Sequence, residues 1–311
     1  MIILNRRKFL TSAAMGATAL QAQPKTRQTF LAGIVPGRTP GAGTGASAIS
    51  PIDRFWNACD ECSKLGVHNI EVNTINTPVA QTYDTQLEKF KDEMAKRKLR
   101  MLGLAMYAHW HLTETRQQMI DDYVRVARFL KAVGGRYIAG LIAPAANLGN
   151  GDEESYRRVD VKAVVANCNA IGKQVHEETG IKLGYHPEQG DLRTGIWKPM
   201  IDDTDPRYFH FWPDVGHLVA CGLDPLEIYK KYRSRMAGTH LRDFVPPATP
   251  TAADGQPARG RMVAFGTGVI NLAALVAYLR STKFDGCVMG EGGGGSQAMR
   301  DYMVETLGLE L

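Results

Sequence analysis

The sequence predicts an α/β protein of the (β/α)8-barrel class, folded as a single domain. Short apolar runs alternate with longer amphipathic segments along the chain, which is typical of βαβ units and a parallel sheet. We count eight strand–helix units, with no break in composition that would indicate a linker. An open doubly wound sheet is the alternative, but no GxGxxG motif follows the first strand.

Eight apolar runs supply the predicted strands. Each run is four to seven residues long and leads into a polar or glycine-containing segment. The predicted strands are Phe30–Val35, Asn69–Asn73, Leu99–Ala105, Tyr137–Ile142, Ile181–Tyr185, Phe209–Pro213, Met236–His240 and Cys287–Gly290. The segment Pro36–Ser50 is rich in glycine, proline, serine and threonine, and we predict a loop there.

Amphipathic segments between these runs supply the helices. The strongest ends at Gly180, a residue suited to the left-handed conformation at helix C-termini. Cys59 and Cys62 lie in the first helix, and the five cysteines show no disulfide framework, so we interpret this pair as ordinary helix residues. Little helix is predicted between Asp191 and Pro206. The predicted helices are Pro51–Leu65, Gln86–Arg97, Thr113–Val133, Val161–Thr179 and Asn271–Arg280.

The N-terminus has the layout of a twin-arginine export signal, which we predict over residues 1–22. Arg6 and Arg7 precede a weakly apolar run, Phe9–Leu20, and Ala22 offers a small residue for cleavage. The run is about a dozen residues, too short for a membrane-spanning helix of roughly 20. We therefore expect a periplasmic or otherwise exported protein whose barrel covers residues 28–311.

The charge balance argues against nucleic acid and membranes as partners. The chain has 37 basic and 32 acidic residues, a formal net charge of +5. Three of the basic residues, Arg6, Arg7 and Lys8, belong to the predicted signal, which leaves 34 against 32, or +2. A nearly neutral barrel has no electrostatic basis for binding either partner. We expect a small-molecule substrate and consider a homo-oligomer possible.

Ligand-forming side chains are concentrated at the C-terminal ends of the predicted strands, where the chemistry of this fold takes place. Carboxylates and imidazoles without cysteine favour a hard or borderline divalent ion such as Mn²⁺, Mg²⁺ or Co²⁺ over a structural zinc site. The side chains at these positions are Glu71, Asn73, His109, His111, His186, Glu188, Asp214, His217, His240, Arg242, Asp243 and Glu291.

The order of three motifs in the second half of the chain resembles the sugar phosphate isomerase/epimerase superfamily, the xylose isomerase-like TIM barrels. The motifs are DxGH at Asp214–His217, HxxD at His240–Asp243 and a lone Glu291 on the last strand. The resemblance extends from about residue 28 to the C-terminus. In that superfamily Glu, Asp, His and Glu from strands five to eight bind one metal ion. The resemblance therefore implies Asp214, His240 and Glu291 as three ligands, with His217 near the substrate.

Strand five departs from the superfamily pattern. His186 stands where the family has its glutamate, and Glu188 follows two residues later, on the same side if the strand continues. Either side chain could bind the metal, and we predict Glu188. Epimerases of the superfamily use two opposed metal-bound glutamates to move a proton on either face of an enediolate. Loss of one glutamate would favour elimination or one-sided proton transfer.

The resemblance implies a metal-dependent isomerase or epimerase that removes the proton next to a carbonyl of a sugar, cyclitol or oxidised sugar. Glu188 or Glu291 would be the base, and His217 or His186 would move a second proton. Mn²⁺ is the expected ion, with Mg²⁺, Co²⁺ or Zn²⁺ as alternatives. The residues predicted to contact substrate are Glu71, Asn73, His109, His111, His186, His217, Arg242 and Asp243.

Two other functions fit the same sequence. A lyase or dehydratase acting on a 3-keto sugar, keto-glycoside or inosose would begin with the same proton abstraction and then expel a β-substituent. A periplasmic sugar-binding barrel without catalysis would need neither metal nor turnover. Trp197 and Trp212 could stack on a sugar ring in either case, or fill the core.

Overall fold

The computed structural model describes residues 28–36, 50–72, 78–145, 151–249, 259–292 and 295–311. The predicted export signal, most of the predicted loop Pro36–Ser50, and Asn73 lie outside these ranges. Within them, no helix combines the length and apolarity that crossing a bilayer requires.

Eight parallel strands form a nearly closed barrel. The strands of the described residues are β1 (Leu31–Ile34), β2 (Asn69–Val72), β3 (Arg100–Ala108), β4 (Tyr137–Ile142), β5 (Lys182–Tyr185), β6 (Phe209–Phe211), β7 (Gly238–Leu241), β8 (Asp243–Val245), β9 (Arg261–Val263) and β10 (Cys287–Gly290). Eight of them pair in the order β6-β5-β4-β3-β2-β1-β10-β7, and isolated bridges from Phe211 to Met236 and from Asp214 to His240 connect the β6 and β7 segments. The predicted (β/α)8 fold is therefore confirmed.

Strands β8 and β9 form a separate antiparallel hairpin in which Asp243 pairs with Val263. This hairpin follows β7 directly, at the end of the barrel where the site lies. No strand was predicted in either segment, because the two strands are only three residues long each.

Helices surround the barrel, and their ends follow from local chemistry. Asp160 caps the long helix Val161–Thr179 by accepting hydrogen bonds from the N–H groups of Lys162 and Ala163, and Gly180 ends it with a φ of 75°. The fifth unit holds two helices of six residues each, where little helix was predicted. The helices are α1 (Pro51–Lys64), α2 (Pro78–Tyr83), α3 (Leu87–Lys96), α4 (Arg116–Ala132), α5 (Glu153–Arg157), α6 (Val161–Thr179), α7 (Gln189–Thr194), α8 (Trp197–Asp202), α9 (Val215–Ala220), α10 (Pro225–Tyr232), α11 (Leu272–Ser281) and α12 (Gly295–Asp301).

The interior of the barrel is filled by a small cluster of its own, distinct from the larger core between strands and helices. Its centre is Trp212, which stacks on Tyr137 with ring centroids 3.9 Å apart. Trp197 is buried in the outer core against Phe211. Both tryptophans therefore pack inside the protein instead of offering a face to a sugar. The buried interior residues are Val35, Leu102, Ala105, Tyr137, Ala139, Leu141, Trp212, Ala237, Cys287 and Met289.

Close packing around Trp212 depends on a glycine in β7. A Cβ atom at Gly238 would lie 2.0 Å from the indole ring, and the ring has no room to move because Tyr137 covers it.

The cysteines are all free, as predicted, and Cys59 and Cys62 are buried in α1.

We expect Gly238→Ala to destabilise the fold by about 1–3 kcal/mol, because the added methyl group overpacks the barrel interior. Urea denaturation measures this directly. Gly292→Ala is the matched control, since a Cβ there would make only ordinary contacts of 3.5 Å or longer. Equal midpoints for the two variants would contradict the packing argument.

Candidate active site

Four ligand-type side chains converge at the C-terminal ends of β5, β6, β7 and β10. They are His186, Asp214, His240 and Glu291, and their ligand atoms all lie within 4.8 Å of one another. His240 Nδ1 is central, because it lies 3.0 Å from His186 Nε2 and 3.0 Å from Glu291 Oε2. We call these four residues the ligand cluster.

The ligand cluster fits a divalent ion. Asp214 Oδ2 is buried and accepts no well-aligned hydrogen bond from the described residues, although it lies 3.6 Å from His186 Nε2 and 2.7 Å from Arg242 Nε. A buried carboxylate oxygen without an aligned donor is costly, and a cation between it and the two imidazoles would satisfy it. Two carboxylates and two imidazoles suit borderline ions such as Zn²⁺, Co²⁺ and Mn²⁺. These residues could therefore hold one divalent ion.

The structure brings three of the four predicted ligands together, with His186 as the fourth member of the ligand cluster. Asp214, His240 and Glu291 meet as predicted, but the strand-five member is His186, whereas Glu188 was the predicted ligand. The N–H of His186 continues the β5 ladder by donating to Gly140 O at 2.8 Å, which turns its ring into the barrel mouth. Pro187 then ends the ladder, because proline has no N–H to donate.

The DxGH motif is a strand end followed at once by a helix. Asp214 caps α9 with Oδ1, which accepts the N–H of His217 at 3.0 Å, so Oδ2 is left facing the ligand cluster. Gly216 is required because a Cβ there would lie 2.8 Å from the Cβ of Arg242 and 2.7 Å from Met262 Sδ. Three residues after Asp214, His217 returns to the same side of the helix.

Glu188 pairs with His217 at the edge of the ligand cluster. Its Oε2 lies 3.1 Å from His217 Nε2, and its Oε1 lies 4.0 Å from His186 Nδ1. Both side chains are largely buried, with 14% of Glu188 and 8% of His217 exposed. A carboxylate and an imidazole in this contact can take up and return a proton beside a bound ion.

Glu71 was predicted to contact substrate, and in the structure its carboxylate contacts a metal-ligand candidate. Its Oε2 lies 2.9 Å from His240 Nε2 and accepts a hydrogen bond of 2.7 Å from the Tyr137 hydroxyl. The carboxylate fixes Nε2 of His240 as the donor, so Nδ1 faces the ligand cluster. Burial opposes a charge on His240, but Glu71 and Glu291 outweigh it and raise the pKa of the imidazole to about 10.

Arg242 is a half-buried residue whose guanidinium joins two members of the ligand cluster. Its Nε lies 2.7 Å from Asp214 Oδ2, and its Nη2 contacts Glu291 Oε1. Burial would raise the pKa of Glu291, but Arg242 and then His240 outweigh burial and hold that pKa well below its usual range. Glu291 is therefore a weak base. Substrate contact by Arg242 stays a prediction.

Asp243 was predicted to contact substrate, but backbone N–H groups occupy its carboxylate. Oδ2 accepts from Gly266 at 3.0 Å and Gly268 at 2.8 Å, and Oδ1 accepts from Phe244 at 2.9 Å and Ile270 at 3.2 Å. The side chain is 1% exposed. Asp243 therefore ties the segment after β9 to the end of β7.

His109 and His111 lie on the loop that follows β3. Asn167 of α6 holds this loop, because its Nδ2 donates to Trp110 O at 2.7 Å and to Leu112 O at 3.1 Å. His109 Nδ1 lies 3.0 Å from Ala143 O, and burial lowers the pKa of His111. The described contacts of both rings are with protein, and their contact with substrate stays a prediction.

Two tyrosines at the site were not identified from the sequence. Tyr137 orients Glu71, and Tyr107 lies among the charged groups of the mouth. Both occur in runs that indicate only a buried strand, and a tyrosine in such a run is most often a core residue. Nothing in the sequence alone distinguishes them.

Comparisons with known proteins agree with this architecture. A family model described as a xylose isomerase-like TIM barrel matches residues 59–303, so the chain belongs to that family. Inosose dehydratase 1 from Bacillus cereus is 23% identical over 261 residues, which cover 76% of this chain and 86% of that enzyme.

Two solved structures share the fold at low identity. A xylose isomerase-like TIM barrel protein from Mycobacterium smegmatis, in complex with magnesium, has a TM-score of 0.63 and 16% identity, covering 90% of this chain and 96% of that one. The 3-keto-D-glucoside 4-epimerase from E. coli has a TM-score of 0.59 and 16% identity, covering 90% of this chain and 100% of that one.

We expect Glu71→Gln to weaken metal binding by about 10- to 100-fold, because His240 loses the carboxylate that fixes its orientation and basicity. Calorimetric titration of the metal-free protein with Mn²⁺ or Zn²⁺ measures the change. Glu88→Gln on the exposed face of α3 is the control, since 83% of that side chain is exposed. An unchanged affinity in Glu71→Gln would show that the contact with His240 does not matter for the ion.

We expect metal binding to release about one proton per chain at pH 7.5. The raised pKa of His240 means that the metal-free imidazole holds a proton below about pH 10, and an ion on Nδ1 must displace it. Affinity should then rise with pH, by up to about tenfold per unit, until that pKa is passed. Titrations in two buffers of different ionisation enthalpy count the released protons, and a count of zero would refute this explanation.

Proposed function

We propose that this member of the xylose isomerase-like TIM barrel family is a divalent-metal-dependent lyase acting on an oxidised sugar. Its substrate would be a 3-keto sugar, a keto-glycoside or an inosose, from which it expels water or an alcohol next to the carbonyl. One observation carries the proposal. The Glu188–His217 pair lies beside the ligand cluster but outside it, while Glu291 is held by Arg242 and His240.

The ligand cluster would hold the ion. When bound there, a divalent ion supplies a Lewis acid that makes the C–H bond next to a carbonyl more acidic. His186 replaces the carboxylate that the superfamily pattern places on strand five, so the donor set contains two imidazoles. We expect Mn²⁺, Co²⁺ or Zn²⁺ in preference to Mg²⁺, since imidazole is a poor ligand for magnesium.

Glu188 would remove the proton from the carbon next to the carbonyl. The electrons of that C–H bond form the new C=C bond, and the bond from the β-carbon to its oxygen breaks. The departing oxygen takes a proton from the Glu188–His217 pair, which has just gained one. The pair returns to its starting state, so the elimination needs no second base.

An epimerase would need a proton donor on the opposite face of the same carbon. Glu291 is the carboxylate available for that task, but its ion pair with Arg242 holds its pKa well below the usual range. A weak base is poorly suited to removing a proton from carbon. Isomerisation or epimerisation remains the second candidate, because both begin with the same proton abstraction.

The names of the relatives fit both elimination and epimerisation. The Bacillus cereus relative is named for a dehydration of an inosose, and the E. coli structure is named for an epimerisation of a 3-keto-glucoside. Both names describe reactions next to a carbonyl on a sugar or cyclitol ring. We place the enzyme in the periplasm, or outside the cell, on the twin-arginine pattern at residues 1–22.

The test is an NMR assay in D₂O with an inosose, a 3-keto sugar and a 3-keto glycoside, after the metal content has been measured by elemental analysis. An unsaturated ketone together with released water or alcohol supports the lyase. A ring isomer carrying deuterium supports the epimerase. Binding without either product and without any metal requirement indicates a non-catalytic sugar-binding barrel.

We expect Glu188→Gln and His186→Ala to separate the base from the ligand. Glu188→Gln should keep its metal and lose about 10²- to 10⁴-fold in turnover, because the proton acceptor is gone. His186→Ala should lose the metal itself. Elemental analysis and the D₂O assay on both variants check this. A Glu188→Gln protein without metal would identify Glu188 as the ligand after all.

A further inference from the structure

Tyr107 lies on the wall of the barrel opposite Arg242. In the ring of eight strands, β3 is four places from β7 in either direction. Strand β7 carries His240 and leads into Arg242, so residues at the end of β3 face these two across the mouth. A substrate over the ligand cluster would lie between the two walls.

The side chain of Tyr107 points into the barrel. It packs against the interior cluster around Trp212, whereas its neighbour Met106 packs against the outer core. Tyr107 is the last inward-facing residue of β3, which ends at Ala108. The inward residues below it are fully buried, but Tyr107 is partly exposed. Its ring therefore reaches from the packed interior to the mouth.

The Tyr107 hydroxyl lies among charged side chains of the candidate active site. Burial is the main cause that raises the pKa of Tyr107 above its ordinary value, and the charges of Glu188, Asp191 and Glu291 raise it further. Arg242 acts in the opposite direction. The hydroxyl therefore keeps its proton at neutral pH and can donate a hydrogen bond.

We propose that Tyr107 contacts the substrate, donating its hydroxyl to a substrate oxygen held between Glu188 and Arg242. This rests on the proposed function, since it takes the carbonyl compound to lie over the ligand cluster. When Glu188 removes the proton, negative charge develops on the carbonyl oxygen. A donor fixed on the opposite wall stabilises that charge without having to reorganise.

The test compares Tyr107→Phe with Tyr123→Phe in the mature, metal-loaded protein. Tyr123 is the matched control because its hydroxyl donates to Met106 O at 3.2 Å on the outer face of the same strand. We expect Tyr107→Phe to lower kcat/KM, and the rate of C–H exchange in D₂O, by about 10- to 100-fold. Its metal content and melting temperature should match wild type, and Tyr123→Phe should stay within about twofold of wild-type activity.

The outcomes distinguish the two proposals. An active wild type with an equally active Tyr107→Phe would overturn the role of Tyr107 and leave the proposed function standing. Loss of metal or a much lower melting temperature in Tyr107→Phe would make the hydroxyl structural, which also contradicts the proposal. A wild type that neither turns over nor exchanges any of the three ketones would overturn the proposed function and this inference together.

Discussion

The contact between Glu71 and His240 is the constraint on which the site depends. It joins β2 to β7 through the interior of the barrel, with the Tyr137 hydroxyl as a third member. A buried carboxylate needs hydrogen-bond donors, and Glu71 finds two for its Oε2, the imidazole of a metal-ligand candidate and the hydroxyl of a tyrosine. The same contact turns Nδ1 of His240 toward the other three members of the ligand cluster. Tyr137 also stacks on Trp212, so the position of His240 depends on the packing of the barrel interior.

Two neighbouring residues beside the ligand cluster balance its charge and anchor the chain. Arg242 offsets the charges of Asp214 and Glu291. Asp243, its neighbour in sequence, fixes the segment after β9 by accepting three backbone hydrogen bonds from it. The HxxD motif therefore combines a metal-ligand candidate, a counter-charge and an anchor within four residues. Because β7 ends there and the hairpin begins, a displacement of the anchor would also move Arg242.

On strand five, His186 stands where the superfamily has a glutamate, and this difference affects the position of Glu188. With His186 in the ligand cluster, Glu188 is not required as a ligand and instead contacts His217. A carboxylate outside the coordination sphere keeps more of its basicity than one bound to an ion. The proposed elimination rests on this separation of Glu188 from the ligand cluster.

The sequence by itself determined the eight strands and placed Asp214, His240 and Glu291 together, because strand ends in this fold converge whatever the loops do. It could not decide between His186 and Glu188, since alternation along a strand fails once Pro187 ends the ladder. Its assignment of Glu71 and Asp243 to the substrate stays a prediction. Only the tertiary structure shows which side chains contact the buried carboxylate of Glu71. Its partners Tyr137 and His240 are 66 and 169 residues away in the chain, so no local pattern connects them.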